Sequence, residues 1–262
     1  MQRSPAQLVP AVDRAIRMLV DLRGLAKGKR ITDLARDLAI PKSSAFQIAA
    51  TMVHHGILEC DDDTRRYRLG PTLHSFIAGP QGRRDLPLLA VPHLRGLADA
   101  TGLTALLGVP TGSGTVLVAK ADSPEPLGVG APVGFELDRM AGAFGKIFAA
   151  ARDDAGRTAL LRKKLPRYTA RSVIDPREME CELARIRKSG VAIDREEYLD
   201  GIRAVAAPVT DETGDAIAAV CALGVAARLK RDRLPRITEQ VRAAAQALSR
   251  DLGGGAIGGG SR

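Results

Sequence analysis

The pattern of apolar and polar positions from residue 30 to 70 predicts two short helices followed by a hairpin. The first helix has an apolar face at helical spacing, formed by Leu34, Ala35 and Leu38. Pro41 suits the start of the second helix, because the N–H that proline lacks would be unbonded there anyway. Two strands, 57–60 and 66–69, flank a turn of three aspartates and a threonine. This order of elements predicts a winged helix-turn-helix domain.

The second helix of this segment combines an apolar face with a polar one. Its inward positions are apolar: Ile48, Ala49, Met52 and Val53. The positions on the opposite face are polar and mostly uncharged: Ser44, Gln47, Thr51 and His54. A helix that reads base edges in a major groove needs hydrogen-bonding side chains arranged in this way.

The expected contacts with double-stranded DNA fall into two groups. Base contacts are expected from four residues of the second helix: Ser43, Ser44, Gln47 and Thr51. Gln47 can pair bidentately with an adenine edge. Phosphate contacts are expected from three basic residues at the helix start and in the wing: Lys42, Arg65 and Arg66. A helical subdomain with a solvated polar face is the simpler alternative, but the proline-led helix and the wing together favour DNA binding.

Turn and glycine signals divide the chain into four parts. We expect a DNA-binding domain at 1–79, a linker helix within 80–101, a second domain at 102–252 and a disordered glycine-rich tail at 253–262. A helix at about 6–22 opens the first domain. Its apolar residues recur at helical spacing, and we expect them to pack on the helix-turn-helix: Val12, Ile16, Leu19 and Leu22.

The second domain alternates predicted strands and helices. The predicted strands are 103–109, 115–121, 191–195, 204–210 and 216–223, with a further strand or loop at 128–135. The predicted helices after the wing are 71–78, 86–101, 141–151, 157–165, 176–189 and 234–252. Short turns between several strands give the sheet an antiparallel component. This α+β order is typical of a small-molecule sensing domain.

Composition adds modest support to this interpretation. The 262-residue chain has a net charge of +9, which favours polyanionic partners, but the basic residues are spread along the chain and do not locate the binding surface. Three cysteines without a Cys-x-x-Cys motif support neither a disulfide framework nor a zinc ribbon. We find no signal peptide and no apolar run of about 18 residues, so we expect a cytoplasmic protein without a membrane span.

The chemistry of catalysis is missing from the second domain. The four histidines all lie early in the chain, at positions 54, 55, 74 and 93. The second domain therefore lacks the base of a Ser-His-Asp or Cys-His mechanism, and a histidine-ligated metal is not expected there. Its glycines do not form a phosphate loop, because no Gly-Lys-Ser or Gly-Lys-Thr follows them. We expect no catalytic site, no metal and no cofactor.

Several segments, in their order and spacing, resemble the IclR family of bacterial transcriptional regulators. They are IPKSSAFQIAATMVHHGIL, YRLGPTL, AFGKIFAA, YTARSVIDP, ELARIRKSGVAIDREE and GIRAVAAPVTDETGDAIAAVCALG. The resemblance covers nearly the whole chain, from about residue 6 to 252. It implies an α+β protein with a winged helix-turn-helix domain, a linker helix and a GAF-like α/β effector-binding domain. It also implies a homodimer or dimer of dimers on a palindromic operator, and we expect a repressor.

The resemblance implies a small-molecule effector, typically an organic or aromatic acid. The residues at the family's ligand-contacting positions are Ala143, Gly145, Lys146, Asp211 and Cys221. Small residues at the helix start near 143 leave room for a ligand, and the free N–H groups there favour a carboxylate. We expect Asp211 to accept a hydrogen bond and Cys221 to form an apolar wall. The simpler alternative is that Asp211 only closes a turn and Lys146 is an exposed helix residue.

Two departures from the family pattern bear on specificity. Gln47 stands where the family usually has arginine, so the operator preference is expected to differ. Met140 and Gly142 stand where the family often has histidine and threonine, which predicts a more apolar mouth to the pocket. Two other functions remain alternatives: a GAF-like enzyme, and a winged helix that binds protein. The missing histidines argue against the first, and the polar face of the second helix argues against the other.

Overall fold

The computed structural model describes residues 9–25, 27–73, 86–126 and 128–253. The chain forms two compact units, Met1–Arg84 and Asp85–Arg262. Within the described residues, no helix is long and apolar enough to cross a membrane. Several predictions lie outside these residues: the disorder at 1–5, most of the helix at 71–78, the break at 79–82 and the tail beyond residue 253.

The first unit contains the helices α1 (Pro10–Leu22), α2 (Ile31–Asp37) and α3 (Lys42–His54). Its strands are β1 (Lys29–Arg30), β2 (Leu58–Cys60) and β3 (Arg66–Leu69). They form an antiparallel sheet in the order β1-β3-β2. The predicted winged helix-turn-helix is confirmed. Strand β1 was not predicted, because a two-residue strand has no alternation to detect.

The core of the first unit is aliphatic and joins the three helices to the sheet. Its buried residues include Met18, Leu22, Leu34, Ala45, Ala49 and Leu58. The expectation that Val12 and Ile16 face this core is wrong, since both are 55% exposed. Helix α1 is apolar on two faces, and it packs through the face of Met18 and Leu22. Its second apolar face is exposed in the part of the chain that the structure describes.

The second unit is built on a six-stranded sheet with helices on both faces. Its helices are α4 (Leu86–Thr101), α5 (Gly142–Ala150), α6 (Asp154–Leu161), α7 (Pro176–Ser189) and α8 (Leu234–Asp251). Its strands are β4 (Thr104–Pro110), β5 (Gly114–Ala121), β6 (Glu136–Asp138), β7 (Ala192–Arg195), β8 (Ile202–Thr210) and β9 (Ala216–Val225). The strand order is β6-β5-β4-β9-β8-β7, and neighbouring strands are antiparallel. The predicted α+β class is confirmed.

Each face of this sheet has its own apolar core. One core joins the sheet to α4 and α8 through residues that include Leu94, Leu97, Val241 and Leu248. The other joins it to α5 and α7 through residues that include Phe144, Ile147, Leu183 and Ile186. Helix α4, which we predicted as a linker helix, packs on the sheet within the second unit. Leu88 of that helix is 72% exposed.

Candidate functional site

The outer face of α3 is defined by the side chains that pack beneath it. Ala45 and Ala49 are fully buried, which fixes the rotation of the helix. The centre of the exposed face is a stripe of residues three or four positions apart: Ser43, Gln47, Ala50 and His54. Phe46 flanks this stripe on one side and Thr51 on the other. The observed face therefore differs slightly from the predicted one, because Ala50 and not Ser44 lies near its centre.

The predicted base-reading residues are not equally placed. Ser43 and Gln47 are exposed, whereas Ser44 is half-buried. The hydroxyl of Thr51 donates to the carbonyl oxygen of Gln47 at 2.9 Å. Of the predicted base-reading residues, Ser43 and Gln47 are therefore best placed to contact a ligand in front of the helix.

The N-terminus of α3 is suited to an anion. No side chain caps it, and its first turn carries no acidic residue. The positive end of the helix dipole and its unpaired N–H groups are therefore not neutralised locally. Lys42, at the first position of the helix, is exposed beside them. This combination of groups favours a phosphate.

The wing turn is held by Asp61, and it presents one arginine more freely than the other. The Asp61 carboxylate accepts hydrogen bonds from the N–H and hydroxyl of Thr64 at 2.8 and 2.7 Å, and these bonds lower the pKa of Asp61. The Arg65 side chain is 77% exposed. The guanidinium of Arg66 donates to the carbonyl of Gly28 at 3.0 Å. Arg65 is thus available to a partner, whereas Arg66 also braces the wing against the loop before β1.

The second unit contains a cavity of about 320 Å³ on the α5 side of the sheet. Its walls are mainly apolar and include Leu106, Leu117, Phe135, Leu137, Leu199 and Ile202. Asp194 and Tyr198 are the polar side chains among its described lining residues. A cavity of this size with few polar groups is typical of a small-molecule site.

The N-terminus of α5 forms one end of this cavity, at Ala141, Gly142 and Ala143. No side chain caps this helix, and the N–H groups of its first turn have no acceptor within the helix. Gly142 has a φ of 58°, a conformation that favours glycine. A Cβ atom at this position would lie 2.9 Å from Oδ2 of Asp194. The glycine therefore opens the cavity where the helix dipole is positive.

Asp194 is a buried carboxyl group in the cavity wall that sequence reasoning missed. It is 4% exposed, and its Oδ1 accepts a hydrogen bond from the N–H of Glu197 at 2.6 Å. Burial raises the pKa of Asp194 to about 6, and the charge of Glu197 acts in the same direction. The signal for this residue was strand alternation, since Asp194 lies two positions from the fully buried Ala192 on β7.

The predicted effector residues are only partly brought together. Ala143 and Cys221 both line the cavity. Cys221 is 2% exposed, and burial raises the pKa of its thiol well above the usual range. It is therefore an apolar wall rather than a nucleophile. Gly145 does not line the cavity; a Cβ atom there would lie 2.6 Å from the Cα of Met140, so this glycine permits close packing.

Lys146 is not the exposed helix residue of the simpler interpretation, nor does it line the cavity. It is 1% exposed, and its Nζ lies 2.8 and 2.9 Å from the carboxylate oxygens of Glu197. The same Nζ donates to the carbonyl of Ile193 and lies 3.6 Å from a carboxylate oxygen of Glu182. The carboxylates of Glu197 and Glu182 neutralise the charge of Lys146. Lys146 therefore links α5 to the segment after β7 and is not available to an anionic ligand.

Asp211 lies away from the cavity, in the turn between β8 and β9. Its Oδ1 accepts hydrogen bonds from the N–H groups of Thr213 and Asp215 at 3.0 and 3.2 Å. Along the β8–β9 ladder, the turn follows the pair Thr210 and Ala216, whereas Cys221 lies further along β9. The expectation that Asp211 borders the cavity is wrong, because aspartate closes the turn in the way its side chain favours.

The described residues offer no obvious metal centre, since no three His, Cys, Asp or Glu side chains among them are grouped as ligands. What the geometry provides is an apolar chamber with hydrogen-bond donors at a helix end and one buried carboxyl group. Such a chamber can hold a small polar-ended molecule.

Comparison with known proteins matches both units to domains of the same family. Residues 11–62 match the family described as the IclR helix-turn-helix domain. Residues 82–250 match the family described as bacterial transcriptional regulator IclR C-terminal. These two matches together cover most of the chain and agree with the winged helix and the cavity-bearing unit.

Individual relatives extend over almost the full length. The chain is 31% identical over 242 residues to the HTH-type transcriptional regulator BhcR of Paracoccus denitrificans, covering 92% of this chain and 86% of the relative. It is 28% identical to the transcriptional repressor IclR of Escherichia coli, covering 94% of this chain and 91% of the relative. The solved structure of an IclR homologue from Microbacterium hydrocarbonoxydans in complex with 4-hydroxybenzoate matches with a TM-score of 0.72 at 25% identity, covering 92% of this chain and 98% of that one.

The two family matches, the full-length relatives and the winged helix-turn-helix agree. The chain belongs to the IclR family, whose members are DNA-binding transcriptional regulators of bacteria.

Proposed function

We propose that this regulator represses transcription from a palindromic operator. We also propose that a small organic acid, bound in the cavity of the second unit, controls the affinity of the protein for DNA. The observation that carries the proposal is the apolar cavity of about 320 Å³ with the uncapped N-terminus of α5 at one end. The repressor name of the Escherichia coli relative and the 4-hydroxybenzoate complex of a homologue support it. The bacterial cytoplasm is the proposed location.

The cavity chemistry favours a monocarboxylate with an apolar body. A carboxylate gains hydrogen bonds and a favourable dipole at the first turn of α5. The apolar body would lie against side chains such as Leu106, Leu117 and Phe135. The carboxyl group of Asp194 lies beside Gly142 at this same end of the cavity, so it would bond a hydroxyl group close to the ligand's carboxylate. Binding would shift the population between DNA-competent and DNA-incompetent forms, which requires a different affinity of the acid for each form.

We also propose that the second unit has no catalytic role. The Cys221 thiol is buried with a raised pKa, and the sequence contains no histidine after His93 that could activate it. The ligand is therefore bound and released unchanged.

A panel of small monocarboxylic acids, 4-hydroxybenzoate among them, tests the cavity by calorimetric titration and by release of the protein from selected operator DNA. An active acid should bind more weakly to Cys221→Leu, because the larger side chain extends into the cavity. Asp211→Ala is the matched control; it should bind as tightly as wild type, since Asp211 lies outside the cavity. The proposal is wrong if Cys221→Leu binds every active acid as tightly as wild type, or if no acid alters DNA binding.

For the first unit, we propose that Ser43 and Gln47 read bases, with Ser44 and Thr51 at the margins of the contact. The exposed stripe on α3 supports this assignment. Lys42 and Arg65 would bind phosphates, and Arg66 would do so while bracing the wing. Phosphate contacts position the protein, whereas contacts with base edges give it sequence preference.

We further propose a homodimer paired through α1. An apolar stripe on this helix is 55–62% exposed and has residues three or four positions apart: Val9, Val12, Ile16 and Val20. Such a stripe is typical of a helix that packs against another helix. A two-fold dimer would present two copies of α3 to the half-sites of a palindrome. Further pairing would give a dimer of dimers.

Sedimentation of two variants tests this pairing. Ile16→Asp should give monomers, because it places a charge in the apolar stripe. Leu88→Asp changes an exposed leucine of the second unit and should leave the dimer intact. A monomeric wild type at micromolar concentration, or a dimer that survives Ile16→Asp, would contradict pairing through α1.

A further inference from the structure

One aromatic side chain on the outer face of α3 has no role in the contacts proposed above. Phe46 is 55% exposed, in a chain that contains only five phenylalanines. An exposed apolar residue needs no explanation by itself. The position of Phe46 is what matters, since it lies next to Gln47 on the helix proposed to enter the major groove.

The packing of α3 keeps Phe46 facing outward. Ala45 and Ala49 on the inner side are fully buried, so turning Phe46 inward would require these two residues to leave the core. Ser43, Phe46 and Ala50 are three and four positions apart, which places them on one side of the helix. Phe46 and Ala50 thus form a small apolar patch beside the amide of Gln47.

We propose that Phe46, together with Ala50, contacts thymine 5-methyl groups in the major groove, next to the adenine that Gln47 reads. This inference rests on the proposed base-reading role of α3. The 5-methyl group is exposed in the major groove, and apolar contact with phenylalanine or alanine is a physical means of recognising it. Moving both apolar groups out of water favours the contact.

The charge of the helix favours DNA over a protein partner. Helix α3 contains no aspartate or glutamate, and its first residue is Lys42. A phosphate backbone can therefore approach this face without repulsion from the helix. The apolar patch is also small and bordered by Ser43 and Gln47, whereas a protein-binding patch is usually larger and contiguous. Phe46 therefore acts as a specificity residue for A·T base pairs.

The test removes methyl groups from DNA one at a time. A tight-binding duplex is first selected from a random pool with the full-length protein. Each thymine is then replaced by deoxyuridine, which keeps the hydrogen-bonding edge and loses only the 5-methyl group. Affinities are measured for wild type, Phe46→Ala and Phe46→Leu. Leu25→Ala serves as the matched control, because Leu25 is a partly exposed apolar residue of the same unit outside α3.

We expect one thymine in each half-site at which deoxyuridine weakens wild-type binding about fourfold. Phe46→Ala should be insensitive to that replacement, Phe46→Leu should retain part of the sensitivity, and Leu25→Ala should behave as wild type. Circular dichroism should show all variants folded, since the substituted side chains are exposed.

Two results would overturn the inference: wild type insensitive to deoxyuridine at every thymine, or Phe46→Ala with full sensitivity. If Phe46→Ala keeps full sensitivity and also changes the oligomeric mass, Phe46 makes a protein contact instead. If Gln47 governs the selected sequence but no methyl group matters, only this inference fails. If the protein selects no sequence at all, the proposed base reading by α3 fails with it.

Discussion

Asp194→Asn is expected to stabilise the protein, and the gain should grow as the pH rises from about 5 to about 7.5. The pKa of Asp194 is raised from 3.8 to about 6, chiefly by burial. A pKa that is higher in the folded chain than in the unfolded chain means that ionisation opposes folding. The stability contribution of this group is therefore fully present below the unfolded pKa and is lost as the pH rises through about 6.

The size of the effect follows from the pKa shift. The rise in the pKa of Asp194 from 3.8 to about 6 corresponds to about 3 kcal/mol of lost stability once the carboxyl group is fully ionised. Roughly half of this, about 1–1.5 kcal/mol, should develop between about pH 5 and pH 7.5. Asparagine keeps the shape of the side chain and an oxygen that can accept the 2.6 Å hydrogen bond from the N–H of Glu197. Lys146 pairs with Glu197 in the wild-type chain, so the substitution should leave this ion pair intact.

Urea unfolding followed by circular dichroism at several pH values measures the difference between Asp194→Asn and wild type. Glu196→Gln is the control, because hydrogen bonding to Arg203 is the main cause that lowers the pKa of Glu196. Glu196 is therefore ionised throughout this range, and the Glu196→Gln difference should not vary with pH. A difference for Asp194→Asn that is constant, or that shrinks as the pH rises, would refute this account of the buried carboxyl group.

Three further outcomes are expected. Lys146→Ala should destabilise the second unit by about 3–5 kcal/mol in urea unfolding, because it leaves the Glu197 carboxylate without the cation 2.8 Å away; an effect below about 1 kcal/mol would contradict the role of this pair. Arg65→Ala should lower the slope of log affinity against log salt by about one, equally on all duplexes, and an unchanged slope would count against a phosphate contact. Gly142→Ala should cost about 1–3 kcal/mol through its φ of 58° and weaken binding of an active acid; unaltered stability and affinity would argue against this role of Gly142.

Local signals in the sequence were sufficient to predict the elements that carry strong end markers. The sequence predicts helix α7 at its observed bounds, because Met179, Leu183 and Ile186 recur at helical spacing and Gly190 ends the helix. In the structure Asp175 also caps this helix. The hairpin of β4 and β5 was predicted from two apolar runs around a Gly-rich turn. At these positions the local sequence is compatible with only one secondary structure.

The remaining features depend on packing that periodicity does not specify. Helix α1 is apolar on two faces, so its sequence could not show that Met18 is buried while Ile16 is exposed. Lys146 is a charged residue that only tertiary contacts can bury, and its partner Glu197 is 51 positions away in the sequence. Asp211 was placed with the ligand because of its position in the family motif, yet its side chain closes a local turn. The sequence predicts the cavity through Ala143 and Cys221 but not its polar side chains, Asp194 and Tyr198.

The central claim is that α3 reads bases, and one comparison tests it most directly. The affinity of wild type and Gln47→Ala is measured at one salt concentration for the selected operator and for a scrambled duplex of the same length and composition. Loss of a bidentate contact with adenine should cost about 1–3 kcal/mol on the operator and leave binding to the scrambled duplex unchanged. Equal losses on both duplexes would contradict base reading by Gln47 and show that its contribution is independent of sequence.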